Sequence, residues 1–521
     1  MRTPTSPASP PIRDAACPDT GTAATCTRRR SGPSARYLAG VALGVIAVWS
    51  LVFAVPAAPV LAADGGAGPW PQFGRDATHA AASPFDSPAP PFHRSWKFRM
   101  PRGERALTYP VVSGTTAIAA GTHGVYGVDV ATGEQRWRVP RDGGSVAATP
   151  AVADVGGTPI LVFTQGATAA KSQVLAFSLA DPGAPKPLWQ VPLQDRTASG
   201  VSADGDTAFV GDASGNVVAI GLVNEVRHAD PGLIRWQTTV PGVVDTPPAA
   251  AGGRVVVAAR SRTSGQVEVA SLDEETGKIS WHYAPSTPVS FASAVTIAGD
   301  LALVGSYGDN MLVALSVDDG SKVWSTRLPS QFSPYDDIAV AGGYAFPMPA
   351  QAPSESGLYR IRASTGTVAT PWNYGTGGLW SFEFDVSALY ASPVVVGETV
   401  VVGLDDGRLA AIDVSSGVLV WRTDTGDGPV HGIAAADGTI VVSIGSRKGG
   451  LIGLVNDPSG SLLSEVSSSK PNWGRMLLDY ALAFALVGAA AALLAVVLRT
   501  RRRPGGLPVA DAGEHPEGEP A

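Results

Sequence analysis

From about residue 69 to residue 465 the chain alternates short apolar runs with turns, and it never settles into a helical period. A first apolar run, such as YPVV (Tyr109–Val112), SAVTI (Ser293–Ile297) or SPVVV (Ser392–Val396), leads into a turn containing Gly or Asp. A second run follows: TAIAAG, TAFVGD, RVVVAA, LALVGS or TVVVGL. Turns such as DASGN and DDGR lead to a third run, VVAIGL, LVALSV or LAAIDV, and a Gly turn then leads to a run holding Trp. The Asp-Gly and Asp-x-x-Gly turns supply the positive φ that tight hairpins need. Each unit is therefore predicted to be four antiparallel strands, made from consecutive hairpins.

The phrase that closes a unit recurs as VDVATGEQRW, SLDEETGKISW, ALSVDDGSKVW and AIDVSSGVLVW, with looser copies elsewhere. The tryptophans that mark it are Trp96, Trp137, Trp189, Trp236, Trp281, Trp324, Trp372 and Trp421, spaced 41 to 52 residues apart. A four-stranded sheet that is apolar on both faces cannot stand alone. Look-alike sheets stacked around an axis bury those faces and leave only short edges. The fold class expected is all-β, an eight-bladed β-propeller. The first three runs occur eight times, whereas Trp96 precedes any complete unit and Ser464 stands at the last Trp position. The economical closure has the Trp96 strand completing blade eight, with the strand near Ser464 either adding to that edge or leading away from it. The tryptophans are expected to wedge the rim. One buried indole removes roughly 150–250 Å² from water, an upper bound of about 4–6 kcal/mol.

Charge patterning adds anchors at both ends. Leu38–Val55 is an uncharged run of 18 residues after Arg28, Arg29, Arg30 and Arg36, either a signal sequence or an uncleaved anchor. Met476–Leu498 is a 23-residue run followed at once by Arg499, Arg501, Arg502 and Arg503. Both basic clusters place their ends in the cytoplasm, so the propeller is expected on the extracytoplasmic side of the cell membrane. The domain plan is a disordered cytoplasmic tail 1–37, an anchor or signal 38–55, a propeller 64–468, a transmembrane helix 476–498 and a disordered tail 499–521. The formal net charge of −7 disfavours nucleic acid. Both cysteines, Cys17 and Cys26, lie in the N-terminal tail, so the propeller has no disulfide, thiolate metal site or Cys nucleophile.

The grammar A-L-x-x-x-x-G-x-x-x-W, together with the opening WPQFGRD (Trp70–Asp76), resembles the PQQ-like β-propeller repeat. That superfamily includes the quinoprotein dehydrogenases and the BamB-type assembly lipoproteins, and the resemblance covers about residues 69–465. It implies one of two functions. The dehydrogenases hold PQQ and Ca²⁺ on the axis, many of them beside a disulfide of adjacent cysteines. Here the propeller has no Cys, no CxxCH haem site and no acid/Asn set that aligns with their metal ligands. The assembly lipoproteins are cofactor-free binding scaffolds, although this chain has apolar segments where they have a lipid-modified Cys. The expectation is therefore a membrane-anchored, non-catalytic scaffold for a protein or cell-envelope component, with no cofactor. The alternative is a PQQ-dependent dehydrogenase with Ca²⁺ on the axis.

The start of each innermost strand would face a central funnel, where pockets commonly form. Candidate ligand-binding residues there are Tyr109, Thr149, Asp245, Phe291, Tyr335, Asp336, Asp337, Tyr390 and His431. Asp336 and Asp337 with Asp245 would offer oxygen ligands to a cation, or form a solvated turn. His431 would serve as an acid–base group or as an ordinary hydrogen-bonding residue. Between blades, Asn373–Ala388 alternates Trp380, Phe382 and Phe384 with polar residues, a candidate partner-docking loop or a locally packed one. There is no GxSxG, P-loop or Ser/His/Asp nucleophile set, so no catalytic residue is assigned.

Overall fold

A computed structural model describes residues 69–459 apart from several stretches, the longest being 223–231, 329–337, 349–357 and 370–390. All of these residues belong to the unit Val60–Ala521, which is distinct from the unit Met1–Pro59. The expected membrane segments 38–55 and 476–498, both tails, Trp372, Tyr335, Asp336, Asp337, Tyr390 and the loop residues Trp380, Phe382 and Phe384 lie outside the described residues.

The described residues form strands and turns without a helix, grouped into eight separate sheets. Blade 1 is typical. Val111–Ser113, Thr116–Ala120, Gly124–Asp129 and Gln135–Pro140 follow one another in space as in sequence. In blade 5 the innermost strand comes in two pieces, Phe291–Ala292 and Thr296–Ala298. Blade 6 shows three described strands, the position of its Trp372 strand falling outside the described residues. Each blade's inner strand runs from the funnel side to a hairpin turn. This defines a funnel face and, opposite it, a hairpin-turn face.

Ring closure follows the expected route. The strand Phe92–Arg99, which carries Trp96, pairs antiparallel with Gly450–Asn456 and completes blade 8. Chain ends from opposite sides of the repeat thus share one sheet, which removes the free edge that an open stack would leave.

The repeat phrase has a physical reason on both sides of each blade seam. Every described repeat Trp lies opposite a small residue of its own third strand: Trp236 pairs with Ala219, Trp281 with Ser271, Trp324 with Ala314, Trp421 with Ala411 and Trp137 with Gly127. The indole then reaches the next blade. Trp236 Nε1 donates to Glu274 O at 2.8 Å, Trp281 to Val317 O at 2.7 Å and Trp324 to Ala363 O at 2.8 Å. Trp96 of blade 8 closes the circle by donating to Val130 O of blade 1. Each of these rings rests on the turn glycine of the neighbouring blade, Gly133 for Trp96, Gly277 for Trp236, Gly320 for Trp281 and Gly366 for Trp324. The Gly and the Trp of one phrase therefore serve two different seams. The wedge is not uniform, since Trp189 and Trp324 are only partly buried.

Glu274 shows how tightly one seam is built. Its carbonyl accepts the Trp236 indole, while its carboxyl is half-buried near Asp204, Asp273 and Asp206. Burial, then the charge of Asp204, pushes that carboxyl up to about 7. A carboxyl raised in the fold takes up a proton that the unfolded chain refuses at the same pH. The stability this provides is complete below the unfolded value near 4.5 and is lost as pH rises through 7. Glu274→Gln should therefore stabilise the protein at pH 8 by about 1–2 kcal/mol, discounted for partial exposure, and change little at pH 4.5. Denaturation midpoints of both proteins across that range check the difference, and a pH-independent offset would contradict it.

Candidate functional site: a plugged axial funnel

The segment 70–83, with the sequence WPQFGRDATHAAAS, belongs to no repeat. It forms the floor of the funnel. Its backbone carbonyls accept from one inner strand after another: Trp70 O from Val112 N, Pro71 O from Val152 N, Ala77 O from Ala250 N, Thr78 O from Ile297 N, Ala80 O from Val340 N and Ala81 O from Val395 N. Blade 3 is held by a side chain instead. The Gln72 amide donates to Ala203 O at 2.9 Å and accepts from Ala203 N at 2.7 Å. The segment thus circles the axis and is stitched to blades 1 to 7. So tight a circle needs left-handed backbone, which Gly74 supplies at φ 61° and which Arg75, His79 and Ala81 adopt despite their side chains.

His79 locks the plug from within. It is fully buried, with Nδ1 2.9 Å from Val295 O and Nε2 3.0 Å from Ser202 Oγ. A carbonyl can only accept, so Nδ1 carries the proton and Nε2 accepts from the serine hydroxyl. The ring is neutral, because burial lowers its pKa to about 4. Phe73 packs edge-on against His79 at 5.2 Å and against Tyr109 at 5.1 Å, which links the floor to the funnel wall.

Tyr109 begins blade 1 but reaches across blade 8. A side chain at Gly432 would strike its ring at 2.8 Å, and its hydroxyl lies 3.1 Å from Ser392 Oγ of blade 7. Asp245 is ion-paired with Arg260 at 3.0 Å. Thr149 is buried, and its carbonyl accepts Val201 N of blade 3. Phe291 starts the inner strand of blade 5. His431 lies half-buried on blade 8, over Gly445, where any side chain would collide with it. The neighbouring hydroxyls of the same ring are tied to backbone groups. Thr108 Oγ1 accepts Ala120 N at 3.1 Å, and Ser293 Oγ accepts Gly305 N at 2.9 Å. Ser199 Oγ bridges to Thr246 O at 3.1 Å. These three hydroxyls hold the strand geometry.

The described donors do not fit a quinone–calcium centre. Of the acids expected to hold a cation, Asp245 alone is described, and its charge is met by Arg260. No group of three or more His, Cys, Asp or Glu able to hold a metal occurs among the described residues. What repeat counting missed was the plug. A one-copy segment has no period to betray it, and its only signal was a motif rich in aromatics and Gly standing before the first blade.

The family model described as outer membrane protein assembly factor BamB matches residues 170–417 and 346–485, together more than half of the 521 residues. A protein of that name from Burkholderia pseudomallei is 28% identical over 244 residues, 46% of this chain and 58% of its own length. One from Yersinia pestis is 24% identical over 262 residues, 47% of this chain and 51% of its own length. The chain thus spans about half the length of the curated relatives it matches. Among solved structures, the quinohemoprotein alcohol dehydrogenase of Comamonas testosteroni superposes with a TM-score of 0.57 at 13% identity, covering 74% of this chain and 80% of the other. A europium-containing methanol dehydrogenase reaches 0.55 at 12% identity, covering 74% of this chain and 91% of its own. Likeness at that identity speaks for the fold alone. From the repeat grammar, the eight closed blades and the extent of the family match, the chain belongs to the PQQ-like, BamB-like β-propeller family.

Proposed function

We propose that this protein is a membrane-anchored, extracytoplasmic binding scaffold that engages a protein partner of the cell envelope through its funnel face and acts without a cofactor. The relatives' name, outer membrane protein assembly factor, supports a protein partner and an envelope location. The observation that carries the reading is the commitment of the funnel's polar groups to one another: Tyr109 to Ser392, Asp245 to Arg260, and Thr108, Ser199 and Ser293 to backbone. A funnel so occupied is a rigid wall around a plugged floor, a surface that suits docking. The loop with Trp380, Phe382 and Phe384 supplies apolar contact to the same partner.

A photo-crosslinker placed at Ser214 or Ser264 on the funnel face should yield one recurrent protein adduct from native membranes, while one at Ser321 on the hairpin-turn face should not. Adducts of equal yield from both faces, or none from the funnel face, would defeat the scaffold reading. Titration with PQQ and Ca²⁺ should give neither bound quinone absorbance nor dye reduction with alcohols. Appearance of both would install the dehydrogenase reading in its place.

A further inference from the structure

We infer that the seam between blades 4 and 5 is a binding site for a free aliphatic carboxylate of about eight to ten carbons, its chain held between the blades and its head group at the outer rim. A cavity of about 240 Å³ lies in this seam. Its apolar wall is Val267 and Val269 of blade 4 with Val304, Met311, Val313 and Leu315 of blade 5. A dry cavity of roughly 150 Å³ holds a benzene ring, and the chain length follows from the same packing. The lining passes from buried Val304 and Leu315 to exposed Lys322 and Arg327 on the outer strand, so the chain enters tail-first from the side of the propeller.

The register shows why this seam stays open. Trp324 pairs with Ala314 and reaches blade 6, so Val313, next to Ala314, faces blade 4. The same position is Tyr126 in blade 1, Val218 in blade 3, Ala270 in blade 4, Ala410 in blade 7 and Ile452 in blade 8, all buried. Val313 and Met311 are only half-buried. Blade 2 has a half-buried Leu175 there, but it packs with Phe163 and Phe177. Two residues past the repeat Trp, Thr238 and Thr326 clasp the next blade, donating to Gly277 O at 2.6 Å and Gly366 O at 2.5 Å. Blade 4 has Tyr283 at that place. Among the described residues its side chain makes no such bond, and its ring lines the cavity instead.

The polar groups at the mouth select the head group. Lys322, Ser325 and Arg327 pair with Leu315, Val313 and Met311, which puts them on the cavity side of the outer strand. Among the described residues these three side chains make no hydrogen bond or ion pair. Two cations without a carboxylate call for an anion, and the arginine fork matches a carboxylate. Asp309, at the funnel-side end, is engaged through Oδ1 by Met311 N at 3.2 Å and by the Ser306 hydroxyl. Its charge repels an anion from that end and leaves the outer strand as the place for the head group. Burial, then the charge of Asp309, pushes the Tyr283 phenol up, so it keeps a proton to donate.

Equilibrium dialysis of radiolabelled octanoate against the full chain in nanodiscs tests the site, with uptake by empty nanodiscs subtracted. One saturable equivalent per chain is expected. Butyrate should bind more than about ten-fold more weakly, for want of buried methylenes. Octylammonium should also bind about ten-fold more weakly, and Lys322→Gln with Arg327→Gln should weaken octanoate by about the same factor. Arg327→Glu should reverse the preference between octanoate and octylammonium. Val313→Phe, which fills the cavity, should abolish uptake of both. The charged residues are exposed, so their variants should melt with the parent and decide the matter even where Val313→Phe disturbs the seam. No saturable uptake, or uptake indifferent to the charge variants, overturns the site. Octylammonium binding as tightly as octanoate overturns the carboxylate.

Discussion

Replacing Gly320 by Ala should destabilise the propeller by about 2–5 kcal/mol, whereas Gly299→Ala should cost only about 1–2 kcal/mol. Both glycines are left-handed, at φ 71° and φ 65°, so a side chain at either meets the same backbone strain. They differ in what lies beyond. Gly299 has nothing within 4 Å of a built Cβ, whereas at Gly320 that atom would lie 2.5 Å from Trp281 Cε3 and 2.6 Å from Cδ2. The indole has no room to retreat, because its Nε1 is fixed on Val317 O at 2.7 Å and it is buried in the blade 4–5 seam. Overpacking therefore adds to strain at one site and not at the other. Trp281→Ala removes the obstacle at its own cost of about 3–5 kcal/mol. In that background, Gly320→Ala should fall back to the strain cost alone, and a double-mutant cycle reads the coupling directly. Equal costs at Gly299 and Gly320 in the unaltered protein would mean that the repeat phrase reflects turn chemistry alone and has no part in the seam.

Acidification should weaken the protein through His79 by about 3 kcal/mol between pH 7 and pH 4. The imidazole protonates near 6.5 in the unfolded chain and near 4 in the fold, because full burial opposes the charge more than the Val295 carbonyl and Asp76 favour it. Between those values the unfolded state binds a proton that the folded state excludes. The stability is complete above pH 6.5, declines as pH falls toward 4 and changes no further below it. His79→Gln removes the titration, so its stability should vary less over this interval than that of the parent, the carboxylates being common to both. Identical slopes would show that His79 is not the neutral, buried ring placed here. His79→Ala should cost about 3–5 kcal/mol at pH 7, since it leaves a cavity in the plug and strips Val295 O and Ser202 Oγ of their partner. Glu274 loses its contribution as pH rises from 4.5 through 7 while His79 gains its own between 4 and 6.5, so these two groups oppose each other and alone leave a broad optimum on the acidic side of neutrality.

These two predictions also mark the boundary between sequence and structure. The pattern of apolar runs determined the strands, and the recurrence of Gly and Trp determined the number of blades, because hairpin period and repeat length are local properties of the chain. The odd Trp96 made closure of blade 8 by its strand the economical expectation without excluding the strand near Ser464, and the pairing with Gly450–Asn456 decided it. The tertiary structure alone decided that the Gly of one phrase receives the Trp of the blade before it, since that contact joins residues about 40 positions apart across a seam. It alone turned WPQFGRDATHAAAS from a leading motif into the floor of the funnel, and Tyr109 from a blade 1 residue into a bridge to Ser392 on blade 7. Local propensity speaks for each strand separately. A plug is stabilised by bonds to seven different blades at once, and no neighbourhood of the sequence contains them.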